Sequence, residues 1–272
     1  MVRFPIDYND WKEVGRTGEK ITAIGLGTWA IRDYGKAFDV YVYGLKNGLN
    51  HVDTAEMYDN GLAEEFISRV VREVGRDSIF ITTKMMPQHL VSRNKVLRAA
   101  RNALNRLGVS YVDLFLIHWP NPNLSISIQV KNFEAVFEAG YTRFIGVSNF
   151  DRWELEEALN STSKAEVVVN QVHYSVLNKS IERDLLPYAI REGVTIQAYT
   201  PLEKGSVARH PIIRDIARKY DKTPVQIALN YLISRPRVVA IPKTENIDHL
   251  KEIISSMNWR LREEDIEVLE KI

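Results

Sequence analysis

Eight short apolar runs recur along the chain, spaced so that one helix fits between each and the next: Ile24–Thr28, Leu49–Asp53, Ile79–Thr83, Val112–Ile117, Phe144–Ser148, Val167–Gln171, Thr195–Tyr199 and Val238–Ile241. Most are nearly continuous in Val, Ile, Leu and Phe, the pattern of strands covered on both faces. Between them lie helical stripes, such as Phe66, Ile67, Val70, Val71 and Val74, or Val96, Leu97, Ala100, Leu104 and Leu107 behind an N-cap at Ser92. Asp151 with Glu154 predicts a capping box, and Thr223, Pro224 and Gln226 supply cap, first-turn proline and box partner for a later helix. Strand–helix alternation implies a parallel sheet with right-handed crossovers. Eight units in 272 residues predict an α/β fold of the (β/α)8 TIM-barrel type, a single domain over residues 1–272. Arg16–Thr17–Gly18–Glu19 predicts a hairpin turn that plugs the barrel floor, and Leu261 to Ile272 one extra C-terminal helix.

Charge narrows the function classes. Thirty-six Lys+Arg against 35 Asp+Glu leave a net charge of +1, no footprint for nucleic acid or an anionic membrane. The absence of cysteine excludes disulfides, thiolate metal sites and a cysteine nucleophile. The opening stretch MVRFPIDYND carries acids and a proline where a secretory signal needs an apolar run, and no stretch nears the roughly 18 apolar residues of a membrane span. The expectation is a cytoplasmic protein, monomeric or weakly self-associating, whose partner is a small molecule.

Gly25–Leu26–Gly27–Thr28–Trp29–Ala30 matches the G-x-G-x-x-A dinucleotide fingerprint after a strand, with Asp53 ending the next strand. That motif requires its glycines to open a helix at once. Here Asp33, Tyr34 and Gly35 intervene before the apolar pattern of Ala37, Val40, Tyr41 and Leu45, so a tight turn at a strand end is the better reading.

In a barrel of this type the chemistry sits at the carboxyl ends of the strands. Those ends offer Asp53, Lys84 and His118 on three consecutive strands, with Tyr58 in the loop after Asp53. Singly, each has an ordinary role: a helix cap, a rim charge, a core histidine, a packing aromatic. Together they make an acid–base device. Hydride reduction of a carbonyl builds negative charge on oxygen, which needs hydrogen bonds and a proton. A phenol titrates near pH 10 when unperturbed. Lys84 beside Tyr58 would favour the phenolate, Asp53 would hold Lys84 charged, and His118 would orient the carbonyl. No metal is required.

At this point the chain resembles a known family. Gly25–Leu26–Gly27–Thr28–Trp29, Asp53–Thr54–Ala55–Glu56–Met57–Tyr58–Asp59–Asn60, Thr83–Lys84, Leu116–Ile117–His118–Trp119, Ile145–Gly146–Val147–Ser148–Asn149–Phe150, Asn170–Gln171–Val172 and Ile241–Pro242–Lys243–Thr244 are similar, in order, to the aldo-keto reductases. The resemblance implies a catalytic tetrad of Asp53, Tyr58, Lys84 and His118, with Tyr58 as general acid, and NADPH as the preferred cofactor. It implies that Ser148, Asn149 and Gln171 hold the nicotinamide carboxamide, that Tyr199 stacks on the ring, and that Thr200 and Leu202 border the pyrophosphate. Lys243 and Thr244 would meet the 2′-phosphate, His249 would lie near it, and Glu252 would meet the adenine. Gly27, Thr28, Trp29 and Asp53 would also border the cofactor, and Trp29 and Trp119 would join Tyr58 and His118 around the substrate. The family often has Arg where His249 stands and Asn where Ile253 stands, so preference over NADH should be modest. The loop from Trp119 to Ser127 is short, which predicts an open site reacting broadly with activated aldehydes.

Two other readings compete. A Schiff-base aldolase or isomerase would use Lys84 as nucleophile on the same barrel, though it has no need of Ser148–Asn149 or Pro242–Lys243–Thr244. A non-catalytic nucleotide-binding subunit would have no need of an intact tetrad.

Overall fold

The computed structural model describes residues 3–272. Two short antiparallel strands, β1 (Trp11–Glu13) and β2 (Lys20–Thr22), form a hairpin. Eight parallel strands follow: β3 (Leu26–Gly27), β4 (His51–Asp53), β5 (Phe80–Met85), β6 (Val112–Ile117), β7 (Thr142–Ser148), β8 (Val167–His173), β9 (Thr195–Tyr199) and β10 (Val238–Ala240). They pair in sequence order from β3 to β10. A parallel bridge between Ile24 and Ala240, with Gly25 N donating to Ala240 O at 2.9 Å, returns the last strand to the first and closes the barrel. All eight expected strands are present. The third, fifth and sixth each run two residues past one expected bound, because the ladder extends wherever a neighbour is paired.

The glycines of the false fingerprint serve this closure. A Cβ on Gly25 would run into the buried His51 imidazole, and one on Gly27 would stand 2.8 Å from the Ile241 carbonyl oxygen. The helix after them, α1 (Tyr34–Lys46), starts seven residues past Gly27 and is capped by Asp33, which accepts from Gly35 N and Lys36 N at 3.0 Å. The expected gap is therefore shorter than the apolar pattern suggested, and Asp33 is its cap, yet the glycines still do not open the helix.

The remaining helices are α2 (Leu62–Val74), α3 (Arg93–Leu107), α4 (Ile126–Phe133), α5 (Ala135–Glu138), α6 (Arg152–Ser161), α7 (Leu185–Glu192), α8 (Pro211–Tyr220), α9 (Pro224–Ile233), α10 (Ile247–Ile254) and α11 (Glu263–Glu270). Their expected caps hold: Ser92 accepts from Lys95 N, and both capping boxes, at Asp151 and Thr223, are complete. In α3, Val96, Ala99, Ala100, Ala103, Leu104 and Leu107 face the sheet at helical spacing. Truncating one such buried Leu to Ala costs about 2–5 kcal/mol.

Inside the barrel a separate apolar cluster brings Val14 and Ile21 of the hairpin against Phe80, Leu114, Leu116, Val168, Val169 and Val239. Gly15 N also donates to Thr195 Oγ1, at the first residue of β9, so the hairpin seals the amino-end mouth as expected. That leaves the carboxyl-end rim for chemistry. No helix among the described residues is long and apolar enough to cross a membrane.

Candidate active site

Side chains alternate along a strand, so Asp53 on β4 and Lys84 on β5 both turn into the barrel mouth. Lys84 is fully buried. Its ammonium donates to Asp53 Oδ2 at 2.7 Å, to the Thr54 carbonyl at 2.9 Å and to the Tyr58 hydroxyl at 3.0 Å. Three N–H groups meet three acceptors. Burial alone would lower the Lys84 pKa, but Asp53 and Tyr58 outweigh it and hold the ammonium above its ordinary value. Lys84 is therefore not the solvated rim charge of its ordinary reading, nor the neutral amine a Schiff base requires.

Because Lys84 donates to the phenol oxygen, the phenol's own proton is free to point elsewhere. Burial raises the Tyr58 phenol above its usual value, and Lys84 only partly pulls it back. The expected pull of Lys84 is present, but desolvation wins, so Tyr58 stands protonated at neutral pH. That is the donor form. Asp53 divides its carboxylate, with Oδ2 on Lys84 and Oδ1 accepting from Gln171 Nε2 at 2.7 Å. Burial raises its carboxyl and both partners oppose that.

His118 follows β6 directly. Burial, then the nearby Lys84 charge, depress its pKa to about 2, so the imidazole is neutral across any working pH. Its ring stacks on Trp119 at 3.7 Å and meets the Tyr58 ring edge-on at 5.8 Å. A neutral imidazole here can orient a carbonyl but has no spare proton to give.

The residues expected at a carboxamide lie next to this group and are bonded to it. Ser148 Oγ donates to the Gln171 carbonyl at 2.9 Å. Asn149, in the left-handed region at φ 61°, donates to the His118 carbonyl at 3.0 Å and accepts from the Tyr199 hydroxyl at 2.8 Å. Tyr199 stacks on His173 at 5.6 Å and stays partly exposed. Gln171 spends its second amide proton on Gln197 Oε1, 2.9 Å away. Gln197 was missed from the sequence, although a lone amide in Thr-Ile-Gln-Ala-Tyr at the register of Gln171 marks it as inward-facing.

Around the rim the picture is looser. Thr200 takes φ 52°, and Leu202 is half-buried before a 3-10 segment, Glu203–Arg209. Thr28 keeps a buried hydroxyl with no partner, and Gly27 lends its carbonyl to the Tyr41 hydroxyl. Trp29 is 49% exposed, with the Lys204 ammonium 5.6 Å above its ring. Lys243 pairs with Glu245 at 2.7 Å, a carboxylate the sequence reading overlooked. Glu245 also accepts from Arg32 N and Asp33 N. Thr244 is buried in the turn before α10, where its hydroxyl accepts from Asn246 N. His249 is exposed on the first turn of α10 and Glu252 lies one turn on, neither bonded through its side chain to Lys243.

A model of the Aldo/keto reductase family matches residues 23–272. The chain belongs to the aldo/keto reductase family. It is an oxidoreductase. The reductase is 32% identical over 254 residues to the methylglyoxal reductase DkgB of Escherichia coli O157:H7, covering 90% of each chain. It superposes on the thermostable aldo-keto reductase Tm1743, crystallised with the inhibitor epalrestat, with a TM-score of 0.89 and 39% identity, covering 96% of this chain and 98% of that one. It likewise matches an aldo/keto reductase from Klebsiella pneumoniae in complex with NADP and acetate, with a TM-score of 0.88 and 31% identity, over 96% and 95% of the two chains.

Proposed function

We propose that this reductase, as a single barrel domain, uses NADPH to reduce the carbonyl of an aldehyde, ketone or keto-sugar, with Tyr58 giving the proton. NADPH supplies the hydride when bound. One observation carries the assignment of the acid: the Lys84 ammonium donates to the Tyr58 oxygen, leaving a protonated phenol whose hydrogen is unspent. His118, neutral beside it, orients the carbonyl oxygen, and both donors meet the charge that grows there. The bonded Asp53 and Gln171 keep Lys84 in place.

The cofactor fits the residues present. Thr28 has an unpartnered buried hydroxyl, Tyr199 shows a partly exposed ring, and the Lys243 ammonium has spent only one of its donors. Ser148, Asn149 and Gln171 would hold the carboxamide and Tyr199 the ring, with Thr200 and Leu202 by the pyrophosphate and Glu252 by the adenine. Lys243 and Thr244 would hold the 2′-phosphate, but Lys243 is already paired with Glu245, and His249 offers no guanidinium fork. Both features favour a modest preference for NADPH over NADH. Trp29 and Trp119 border a short-looped, open rim, which supports broad turnover of small activated aldehydes such as methylglyoxal. A cytosolic setting and a monomeric or weakly associated state belong to the same proposal.

Tyr58→Phe tests it. NADPH consumption with methylglyoxal should fall by about 10²–10⁴-fold, the usual contribution of general acid catalysis. Quenching of NADPH fluorescence on binding should persist. A Tyr58→Phe protein with near wild-type turnover refutes the assignment.

A further inference from the structure

Tyr58 opens a turn of unusual backbone. Asp59 and Asn60 sit at φ 48° and 54°, and Gly61 at φ 95°, three left-handed residues in a row of which only the last is glycine. Asp, Asn and Gly are the residues that tolerate this region best, and bonds from the surroundings hold three of them there in succession. Upstream the turn is fastened by Glu56, whose Oε1 accepts from Met86 N at 2.6 Å, two residues beyond Lys84. Downstream it is fastened by Asp59, whose Oδ2 accepts from the Tyr34 hydroxyl at 2.5 Å.

Tyr34 is itself well placed to act as an anchor. It begins α1 directly after the Asp33 cap, and its ring packs on Phe66 of α2 at 5.2 Å. The loop before it is tied across the barrel mouth by Glu245, through Arg32 N and Asp33 N. Burial, then the Asp59 bond, hold the Tyr34 phenol well above its usual range, so it donates at every assay pH. Tyr58 therefore lies between two fastened carboxylates, and Tyr34 is the only link from α1 to this turn among the side-chain hydrogen bonds of the described residues.

We propose that Tyr34 is a positioning residue for the proton donor: its bond to Asp59 holds the left-handed turn that aims Tyr58 at Lys84. Tyr34 touches neither Lys84 nor His118 and acts only through Asp59. The proposal rests on Tyr58 being the acid.

The test uses Tyr34→Phe, which keeps the ring on Phe66, with Asp59→Ala, Asp59→Asn and the Tyr34→Phe/Asp59→Ala pair in the full chain. Turnover of methylglyoxal with NADPH should fall about tenfold in Tyr34→Phe and in Asp59→Ala, inside the roughly 10²-fold that a 1 Å misplacement can cost. The double variant should be no worse than either single one, because both remove the same bond. Asp59→Asn, whose amide oxygen still accepts, should recover most of the loss. KM and the NADPH dissociation constant should stay within about twofold of wild type, a split expected for an interaction felt only at the reacting atoms. In the alcohol-oxidation direction the rise with pH should move upward, as a loosened Lys84 contact leaves the phenol harder to ionise. Unchanged kcat and pH profile in Tyr34→Phe overturn the proposal, as does a kcat loss matched by weaker NADPH binding and additive in the double variant. Wild-type turnover in Tyr58→Phe would instead overturn the assignment of the acid, whatever Tyr34 does.

Discussion

Replacing Lys84 by Met removes a charge from the centre of the site while nearly preserving shape. The ammonium is fully buried against Asp53 at 2.7 Å, and removing one partner of such a pair costs about 3–5 kcal/mol, since the other is left buried and unpaired. At roughly 2.1 cal/mol/K per residue, a chain of 272 residues loses about 5–9 °C of Tm. Without Lys84 the Asp53 carboxyl, already raised by burial, rises further. A raised folded-state carboxyl makes stability greater at low pH, and that stability is lost as pH climbs from the unfolded value near 3.9 through the raised one. The Tm deficit should thus be smaller at pH 5 than at pH 8. Activity has its own magnitude. A charge-assisted hydrogen bond contributes about 1.5–3 kcal/mol, so without Lys84 donating to Tyr58 kcat should fall about 10- to 150-fold. Adding Asp53→Asn to Lys84→Met removes the stranded carboxylate and keeps an oxygen for Gln171. Thermal melts should then recover much of the Tm, while NADPH oxidation recovers nothing. Turnover of Lys84→Met within twofold of wild type, or activity returning with Asp53→Asn, would refute the reasoning.

Three shorter predictions follow from the same geometry. Because the Tyr58 phenol is held above its usual value, carbonyl reduction at saturating substrate should be flat between pH 6 and 9 by about the range that a protonated donor allows, while alcohol oxidation should climb with pH over that interval; an acid-favoured oxidation profile contradicts this. With His118 depressed to about 2, no titration between pH 5 and 8 should trace to it, so a kcat limb in that window that disappears in His118→Gln would show the imidazole to be charged. His249→Arg should raise the NADPH-over-NADH ratio of kcat/KM, since a guanidinium adds bidentate bonds to phosphate, and an unchanged ratio would place position 249 away from the cofactor.

What the sequence disclosed was whatever depends on strand order. Asp53, Lys84 and His118 were visible because each closes or follows an apolar run, and strand ends share one rim. Ser148, Asn149, Gln171 and Lys243 were reached through resemblance and then found at the same mouth. Gln197 went unnoticed because an amide inside a strand has no local signal until its neighbour's register is known. Tyr34 and Asp59 lie on different strand–helix units, and although Asp59–Asn60–Gly61 is a sequence that favours a left-handed turn, nothing in it names Tyr34 as the partner. Glu245 was hidden for the same reason, its partners being backbone groups of a distant loop. The net state of Tyr58 depended on the balance of burial against Lys84, which needs coordinates.

The seam of the barrel has a consequence for how the molecule comes into being. The Lys12 ammonium donates to the Ile233 carbonyl across 221 residues, and Asp7 N to Ser234 O near the place where Ile24 meets Ala240. On a ribosome adding about 5–20 residues per second, the hairpin exists for roughly 10–40 s before its partners emerge. Val14 and Ile21 cannot complete their packing during that wait, because Val239 of their cluster lies on the last strand. Closure is thus the last and most non-local event, and the reductase's vulnerability to misassembly should concentrate there rather than in the chemistry at the opposite mouth.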